Sequence, residues 1–349
     1  MEYRTTKNGN LKLPLLGLGC WSFGGGEYWG PADQGEVNQV VHAAYDHGVT
    51  YFDTAEVYNE GRSEKSLGAA LQGLPRERVI IGTKVAPSNC YPDELVRHCD
   101  ESLKRLNTDY IDLYMIHWPL HSHALRHFTS VEKKIANPPR MEDTFGVMMD
   151  LRSAGKIRHA GISNFGVKWM EQIPEAVTIP INQVPYNLLS RAIEYEVTPY
   201  CSRRGTGIMT YMSLFQGILA NLYGRIDEVP PWQSRTRHFN SAANPLIRHG
   251  EPGCETETQR ALQEIVQLSK ETGLQLADIA ISWITGNRDI TCALIGTRSR
   301  ERMVQNVKAS QVQLPEELVN KLNAITNPVK EILGNHMDLF ESAEKDRTA

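Results

Sequence analysis

Short apolar segments alternate with amphipathic helical segments along most of the chain, and this alternation is the feature that most constrains its fold. Eight apolar segments are found, at 13–19, 49–55, 79–85, 111–118, 159–164, 181–186, 207–212 and 292–296. Short apolar strands separated by helices indicate a parallel sheet whose two faces are both covered. Eight such units in about 320 residues favour a closed (β/α)8 TIM barrel over an open sheet, which stays as the alternative.

Helical spacing of the apolar residues predicts most of the connecting helices. They are predicted at 34–47, from 63 onward, and at 93–106, 142–154, 192–204, 256–272, 275–286, 299–309 and 315–325. A bend or break is expected at Pro199. Asn-Gly at residues 8 and 9 predicts a short hairpin over 3–12 that could cap one end of the barrel.

The whole chain, 1–349, is predicted to form a single barrel domain with its core at about 13–325. Long loop insertions are expected at 119–140 and 213–253, and extra helices follow the last strand. We expect the C-terminal tail, 327–349, to be partly ordered at best.

The composition narrows the class of protein. Hydrophobic residues make up 41% of the chain and charged residues 22%, which is typical of a soluble globular protein. The net charge of −4 without a basic stripe argues against nucleic acid as a partner. No apolar run approaches the ~20 residues that span a bilayer, and the polar N-terminus is unlike a signal peptide. Six scattered cysteines indicate free thiols in a reducing cytoplasm.

Three of the predicted strands end in a group that can be charged or can exchange a proton. Asp53, Lys84 and His117 hold these positions, and Tyr58 follows Asp53 by five residues. Such groups are rarely placed at the end of a buried strand unless they are paired or used. Because the active sites of barrels lie at the C-terminal ends of the strands, we expect these four side chains to converge at one rim.

Tyr58 is the predicted general acid of this group. A free phenol has a pKa near ~10, which is too high for efficient proton donation at neutral pH. The Lys84 ammonium can lower that pKa, and Asp53 can keep Lys84 charged and oriented. His117 can bind the substrate oxygen or join the proton relay.

A second set of histidines raises a different possibility. His121, His123 and His127 follow His117 in the first insertion. Their spacing lacks the carboxylate of a zinc-protease helix, and Pro119 interrupts any helix between the first two. We therefore predict no metal site, and a metal-dependent barrel hydrolase stays as a minor alternative.

The motif Asp-Thr-Ala-Glu-Val-Tyr at 53–58, followed by Gly-Arg-Ser-Glu at 61–64, resembles the aldo-keto reductase family when combined with Lys84 and His117. The resemblance extends from about residue 13 to about residue 325. It implies a hydride transfer between NADP(H) and a carbonyl or alcohol. Proton-transfer residues carry no hydride, so a cofactor is needed, and no Gly-x-Gly-x-x-Gly follows a strand to indicate a Rossmann site.

The resemblance also implies a set of cofactor-binding residues. The carboxamide of the nicotinamide would be held by Ser163, Asn164 and Gln183, and Tyr211 would stack on its ring. The pyrophosphate would lie against Ser213, Leu214, Gln216 and Gly217. The adenosine phosphate would lie against Gly296, Thr297, Arg298, Arg302, Gln305 and Asn306, where the two arginines suit a ribose 2′-phosphate at a helix N-terminus.

These observations together predict a cytoplasmic NADP(H)-dependent aldo-keto reductase. Trp21 and Trp118 are expected to shape the pocket, and Tyr28 and Trp29 offer further flat faces, so a sugar or a small aldehyde is a plausible substrate. A cofactor-binding, redox-sensing subunit that turns over slowly is the main alternative. The sequence gives neither the substrate nor the oligomeric state.

Overall fold

The computed structural model describes residues 1–349 and contains a closed barrel of eight parallel strands. The barrel strands are β3 (Leu16–Gly19), β4 (Tyr51–Asp53), β5 (Ile80–Val85), β6 (Ile111–Ile116), β7 (Ile157–Ser163), β8 (Ile181–Pro185), β9 (Gly207–Tyr211) and β10 (Ile290–Gly296). Each strand pairs with its neighbours in the chain, and β10 pairs with β3 so that Gly296 lies opposite Gly19. The predicted (β/α)8 barrel is therefore confirmed.

Helices cover the outside of the barrel and fill parts of the long loops. They are α1 (Gln34–Asp46), α2 (Arg62–Ala70), α3 (Pro92–Leu106), α4 (Ser122–Leu125), α5 (Glu132–Ala136), α6 (Met141–Ser153), α7 (Val167–Met170), α8 (Val197–Arg204), α9 (Glu255–Thr272), α10 (Leu276–Gly286), α11 (Arg300–Ala309) and α12 (Glu316–Leu333). The sequence did not predict α4, α5 and α7, which are too short to show helical periodicity. Pro199 does not break α8, because it lies in the first turn, where no backbone N–H is required.

The N-terminal hairpin closes the end of the barrel opposite the strand C-termini. Strands β1 (Tyr3–Thr5) and β2 (Lys12–Pro14) pair antiparallel, and Gly9 and Asn10 take the left-handed conformation in the turn. Leu11 and Leu13 pack into the small cluster of buried residues inside the barrel. The predicted hairpin is confirmed, and it seals the barrel interior from below.

Side chains alternate along each barrel strand between the interior and the helix-covered outer face. On β4, Tyr51 belongs to the interior cluster, whereas Phe52 belongs to the larger cluster between strands and helices. Asp53 follows Tyr51 at the interior position nearest the rim. This period of two explains how the same strand supplies both packing and chemistry.

The C-terminal region is more ordered than the sequence suggested. Helix α12 passes through residue 327 and Pro328 and ends at Leu333. The following segment returns to the barrel rim: Gly166 donates a backbone hydrogen bond to Thr348 (2.8 Å) and Arg237 donates one to Leu339 (2.7 Å). Buried backbone pairing of this kind holds the segment in place. None of the helices is both long enough and apolar enough to cross a membrane.

Two helical glycines provide a matched test of packing. A Cβ on Gly68 of α2 would lie 2.6 Å from the carbonyl oxygen of Leu106, whereas a Cβ on Gly146 of α6 would meet nothing within 4 Å. Gly68→Ala should lower the free energy of unfolding by about 1–3 kcal/mol, because backbone overlap outweighs the gain in helix propensity. Gly146→Ala should raise it by about 0.5–1 kcal/mol. Chemical denaturation measures both, and equal effects would contradict the close contact between α2 and Leu106.

Candidate active site

The four predicted catalytic residues meet at the C-terminal rim of the barrel. The ends of β4, β5 and β6 lie side by side, since Asp53 pairs with Gly82 and Lys84 pairs with Met115. His117 follows β6 directly. A backbone hydrogen bond from Tyr58 to Ala55 (3.0 Å) closes a turn that brings the Tyr58 ring back over the end of β4.

Lys84 is the centre of the arrangement. Its ammonium donates to Asp53 Oδ1 at 2.6 Å and to the carbonyl of Thr54 at 2.8 Å, and it reaches the Tyr58 hydroxyl at 3.4 Å. Lys84 is fully buried, and Asp53 is nearly so. A buried ammonium of this kind requires partners, and the three oxygens provide them.

The pKa directions show how charge is held at this centre. Burial alone would lower the pKa of Lys84, but Asp53 and Tyr58 outweigh it and raise that pKa, so the ammonium stays charged. Burial raises the pKa of Tyr58, and Lys84 only partly counters the rise. The sequence correctly predicted that Lys84 lowers the phenol pKa. The net direction is nevertheless upward, because desolvation of the phenolate is the larger effect.

His117 is neutral in this setting. Burial, assisted by the charges of Lys84 and Arg347, holds the pKa of its imidazole well below the usual value. Its ring centre lies 5.7 Å from that of Tyr58 and 5.9 Å from that of Phe128. Nδ1 is buried without a partner, so we place the proton on Nε2, which avoids an orphaned buried N–H. His117 can therefore donate a hydrogen bond from Nε2.

Gln183 and Tyr51 both bind the second carboxylate oxygen of Asp53, a role that the sequence did not predict for either residue. Asp53 Oδ2 accepts hydrogen bonds from Gln183 Nε2 (2.7 Å) and from the Tyr51 hydroxyl (3.1 Å). Gln183 was predicted to bind a nicotinamide carboxamide, but its amide nitrogen is already used by Asp53. Its Oε1 has no hydrogen bond within the chain and remains able to accept one.

Three further predicted residues lie together next to His117. Asn164, in the left-handed conformation, donates to the carbonyl of His117 (2.9 Å) and accepts from the Tyr211 hydroxyl (2.8 Å). Ser163 donates to the carbonyl of Gln183 (3.0 Å). Ser163 Oγ also accepts from Asn164 Nδ2 (3.1 Å), so both side chains are committed to the protein. The ring face of Tyr211 and the Oε1 of Gln183 are what the site can offer to a ligand.

The loop after β9 has an unusual backbone. Met212, Phe215, Gln216 and Gly217 all have positive φ, which turns successive peptide groups in a way that can cradle an anion. The Ser213 hydroxyl donates a hydrogen bond to the carbonyl of Leu294 (2.9 Å). Leu214 lies between Met212 and Phe215 in the chain. The predicted pyrophosphate loop therefore has suitable backbone geometry, with its serine serving the fold.

An arginine beside this loop was not predicted. The Tyr28 hydroxyl donates to Gln216 Oε1 (2.9 Å) and thereby joins the first long loop to the loop after β9. The Arg235 guanidinium lies 5.6 Å from the Tyr28 ring centre, and its buried Nε has no partner. Only the folded loop brings Arg235 near Gln216, so no local sequence signal could have found it.

The segment after β10 has the predicted form of a helix start. The Ser299 side chain caps α11 by accepting from the backbone N–H of Arg302 (3.2 Å), while Thr297 accepts from the backbone N–H of Ser299 (3.1 Å). Arg298 donates to the carbonyl of Pro31 (2.8 Å), and the Arg302 guanidinium is exposed without a hydrogen bond. Two cationic side chains therefore flank this helix N-terminus.

Gln305 and Asn306, the last two residues of the predicted adenosine segment, differ in whether their side-chain amides are hydrogen-bonded within the chain. Gln305 donates to Gln275 (2.7 Å) and is occupied, whereas Asn306 is 7% exposed and its amide makes no hydrogen bond within the chain. A Cβ on Gly296 would meet only the carbonyl oxygen of Gly19, at 3.6 Å. Gly296 and Gly19 lie opposite each other where β10 pairs with β3, so neither strand carries a side chain at this position of the rim.

Aromatic residues form the mouth of the site. Trp21 is 40% exposed, stacks on Tyr28 (ring centres 5.2 Å apart) and lies 5.9 Å from Tyr58, while Trp29 meets its edge. Trp118 is nearly buried, because the Arg347 guanidinium covers its ring at 3.9 Å. The expected open face of Trp118 is thus partly covered by the C-terminal segment. Trp21 is accessible, and so is Trp232, whose ring centre lies 6.3 Å from that of Tyr28.

The histidines of the first insertion do not form a ligand set, although the ring centres of His121 and His123 lie 6.0 Å apart. His121 stacks on Trp169 (4.7 Å between ring centres) and bonds to the carbonyl of Arg347, and His127 lies 3.4 Å from Glu341. No group of three or more histidine, cysteine or acidic side chains is placed to hold a metal ion. All six cysteines are free and buried. The hydrolase alternative therefore has no ligand set at this site.

A TIM barrel with an acid, an ammonium and an imidazole at its C-terminal rim has the architecture of an enzyme. The model of the aldo/keto reductase family matches residues 15–327. The chain is 31% identical over 313 residues to aldo-keto reductase YhdN of Bacillus subtilis (strain 168), and the match covers 85% of each protein. It therefore belongs to the aldo-keto reductase family and is an oxidoreductase.

Two further relatives bear on the cofactor. The NADH-specific methylglyoxal reductase of Escherichia coli (strain K12) is 28% identical over 326 residues, which cover 88% of this chain and 93% of that protein. The crystal structure of an aldo-keto reductase from Klebsiella pneumoniae in complex with NADPH superposes with a TM-score of 0.70 at 26% identity, covering 100% of this chain and 99% of that one.

A buried histidine beneath the loop after β9 gives a pH-dependent prediction. His238 packs against the Phe215 ring (4.4 Å between ring centres) and bonds to the carbonyl of Leu189 (2.8 Å); burial lowers its pKa to about 4. Its stabilising effect is therefore complete above the unfolded value of ~6.5 and is lost as pH falls towards 4. The loss should reach about 3 kcal/mol. His238→Gln should flatten this slope in denaturation at pH 7 and pH 5, while His123→Gln, at an exposed position, should not.

Proposed function

We propose that this protein reduces a small carbonyl substrate, or oxidises the corresponding alcohol, with NADP(H), and that Tyr58 is its general acid. The observation that carries the proposal is the position of Lys84, whose ammonium contacts both Asp53 and the Tyr58 hydroxyl. A phenol that must lose a proton needs a nearby cation that remains charged, and Asp53 keeps Lys84 in that state.

The proton-transfer step follows from these contacts. As negative charge develops on the carbonyl oxygen, the Tyr58 hydroxyl donates its proton and the resulting phenolate is stabilised by Lys84 at 3.4 Å. The neutral His117 donates a hydrogen bond from Nε2 to the same oxygen and fixes its orientation. Asp53 remains ionised throughout and holds Lys84 in place. In the direction of alcohol oxidation, the phenolate takes the proton back.

Several groups left free by the fold fit a nicotinamide dinucleotide. Tyr211 offers a ring face and Gln183 Oε1 an acceptor at the rim, the left-handed residues around Gln216 give that loop a concave backbone, and Asn306 offers an unpaired amide. The bound cofactor would supply the hydride. The chain's own residues orient it and exclude water between the rim and the aromatic mouth.

The preference for NADPH over NADH rests on Arg298 and Arg302. Both flank the N-terminus of α11, where a ribose 2′-phosphate would meet two cations and the positive end of the helix. The Klebsiella pneumoniae structure in complex with NADPH supports this choice. A relative of this chain is described as NADH-specific, so NADH is the nucleotide against which the preference is tested.

The substrate class is a small aldehyde or ketone. Trp21 and Trp232 are accessible indoles on either side of Tyr28, and the C-terminal segment covers Trp118 through Arg347. The relative named for methylglyoxal, a small dicarbonyl, supports this size. The alternative of a slow redox-sensing subunit would use the same cofactor-binding residues, and a turnover assay separates the two.

Replacing the general acid tests the mechanism. Tyr58→Phe keeps the ring and removes the donor, so kcat should fall by at least ~10²-fold, the lower end of what a positioned acid contributes. Binding of NADPH, followed by fluorescence titration, should change little. Turnover like that of the wild type would show that another group donates the proton.

Replacing the two arginines tests the cofactor choice. Arg298→Ala combined with Arg302→Ala should raise the Kd for NADPH by roughly 10- to 10²-fold, since each contact between charged groups contributes about 1.5–3 kcal/mol before solvent screening. The Kd for NADH should stay nearly constant. Arg300→Ala, an exposed arginine between them, is the matched control. Tighter binding of NADH than NADPH by the wild type would contradict the 2′-phosphate site.

A further inference from the structure

Tyr51 lies directly below the catalytic centre, inside the barrel. It stands two residues before Asp53 on β4, so both side chains point to the interior. It is fully buried and belongs to the interior cluster together with Leu113, Met209 and Cys292. A tyrosine is an unusual choice for a closed apolar layer, because its hydroxyl must find a partner there.

The neighbouring strands leave room for this ring. A Cβ on Gly82 of β5 would overlap the Tyr51 hydroxyl, and a Cβ on Gly17 of β3 would lie 2.8 Å from Tyr51 Cδ1. Neither glycine has a positive φ, so turn geometry does not explain them. Glycine on both flanking strands thus creates the space in which the phenol stands upright beneath Asp53.

The Tyr51 hydroxyl is always a donor in this position. It donates to Asp53 Oδ2 at 3.1 Å, while Gln183 donates to the same oxygen and Lys84 to Oδ1. Burial, and then the charge of Asp53, raises the pKa of Tyr51 well above its usual value, so the hydroxyl keeps its proton. The Asp53 carboxylate is therefore held from three sides.

We propose that Tyr51 is a positioning residue for the proton transfer: by donating from below to Asp53 Oδ2, it orients the carboxylate towards Lys84 and spreads its negative charge. The inference rests on the proposed function, because it assigns Tyr51 a role in tuning Tyr58 as the acid. Tyr51 itself touches neither substrate nor cofactor and acts through Asp53.

The expected direction follows from the charges around the centre. Asp53, Cys20 and Cys292 face Tyr51, while Lys84, Asp53, Cys20 and the His117 ring face Tyr58. Asp53 raises the pKa of Tyr58 and Lys84 lowers it. Removing the Tyr51 hydroxyl leaves the negative charge of Asp53 less compensated, so its effect on Tyr58 grows and the pKa of Tyr58 should rise further.

The test is Tyr51→Phe, which keeps the ring and removes only the hydroxyl. We expect kcat to fall by about 10-fold, the lower end for a hydrogen bond to a charged group. The limb of the pH–rate profile that reports Tyr58 should move to higher pH by about half a unit or more, in both directions of the reaction. A residue that served packing alone would leave this profile in place.

Tyr114→Phe is the matched control. Tyr114 is also fully buried, but it belongs to the outer cluster and its hydroxyl has no partner. Tyr114→Phe should leave kcat within about 2-fold of the wild type and should not shift the pH–rate profile. A loss of activity seen only in Tyr51→Phe is then not a general effect of deleting a buried hydroxyl.

A double-mutant cycle shows whether Tyr51 acts through Asp53. Once Asp53→Asn has removed the charge, adding Tyr51→Phe should cost little further kcat, because coupled residues are not additive. Additive losses, or a Tyr51→Phe variant with the kcat and pH profile of the wild type, would overturn the inference. A wild type that turns over no carbonyl would instead refute the proposed function, and the positioning role would fall with it.

Discussion

The buried ion pair of Lys84 and Asp53 is the interaction on which the rest of the site depends. Two charges in the interior carry a large desolvation cost, and removing one partner from such a pair typically costs 3–5 kcal/mol. The carbonyl of Thr54 accepts a hydrogen bond from Lys84, and Gln183 and Tyr51 donate to Asp53 Oδ2. These hydrogen bonds offset part of the desolvation cost. The same contacts link the C-terminal parts of β4, β5 and β8 through Asp53, Lys84 and Gln183. The interactions that stabilise the barrel at its rim therefore also position the groups proposed for the chemistry.

Local patterns were sufficient to predict the barrel and the meeting of Asp53, Tyr58, Lys84 and His117 at its rim. The alternation of apolar strands and helices is repeated eight times, and a repeated signal survives errors at single boundaries. Asp53, Lys84 and His117 could be placed together because parallel strands end at the same rim. The proposed cofactor residues came only from the family resemblance. Ser163, Asn164 and Gln183 hydrogen-bond largely with one another and with His117 and Asp53, so no local pattern distinguishes them.

Features that depend on distant contacts could not be predicted. Arg347 covers Trp118 from more than two hundred residues away, and nothing near either residue indicates the contact. Arg235 approaches the loop at Gln216 only through the folded second insertion. The net pKa direction of Tyr58 was also out of reach, because it is set by the degree of burial as much as by Lys84. Tyr51 could have been noticed, since it shares a face with Asp53, but its purpose depends on Gly17 and Gly82.

The pairing of β3 with β10 has a consequence for how the protein is made. Strand β3, with Gly19, is synthesised early, whereas its partner β10, with Gly296, is synthesised late. The barrel therefore cannot close until most of the chain has been translated. During that time one edge of β3 exposes unpaired backbone groups, which are prone to pair with other chains. Gly296, the first residue of the proposed adenosine-phosphate segment, lies at this seam, and that part of the rim is therefore among the last to be assembled.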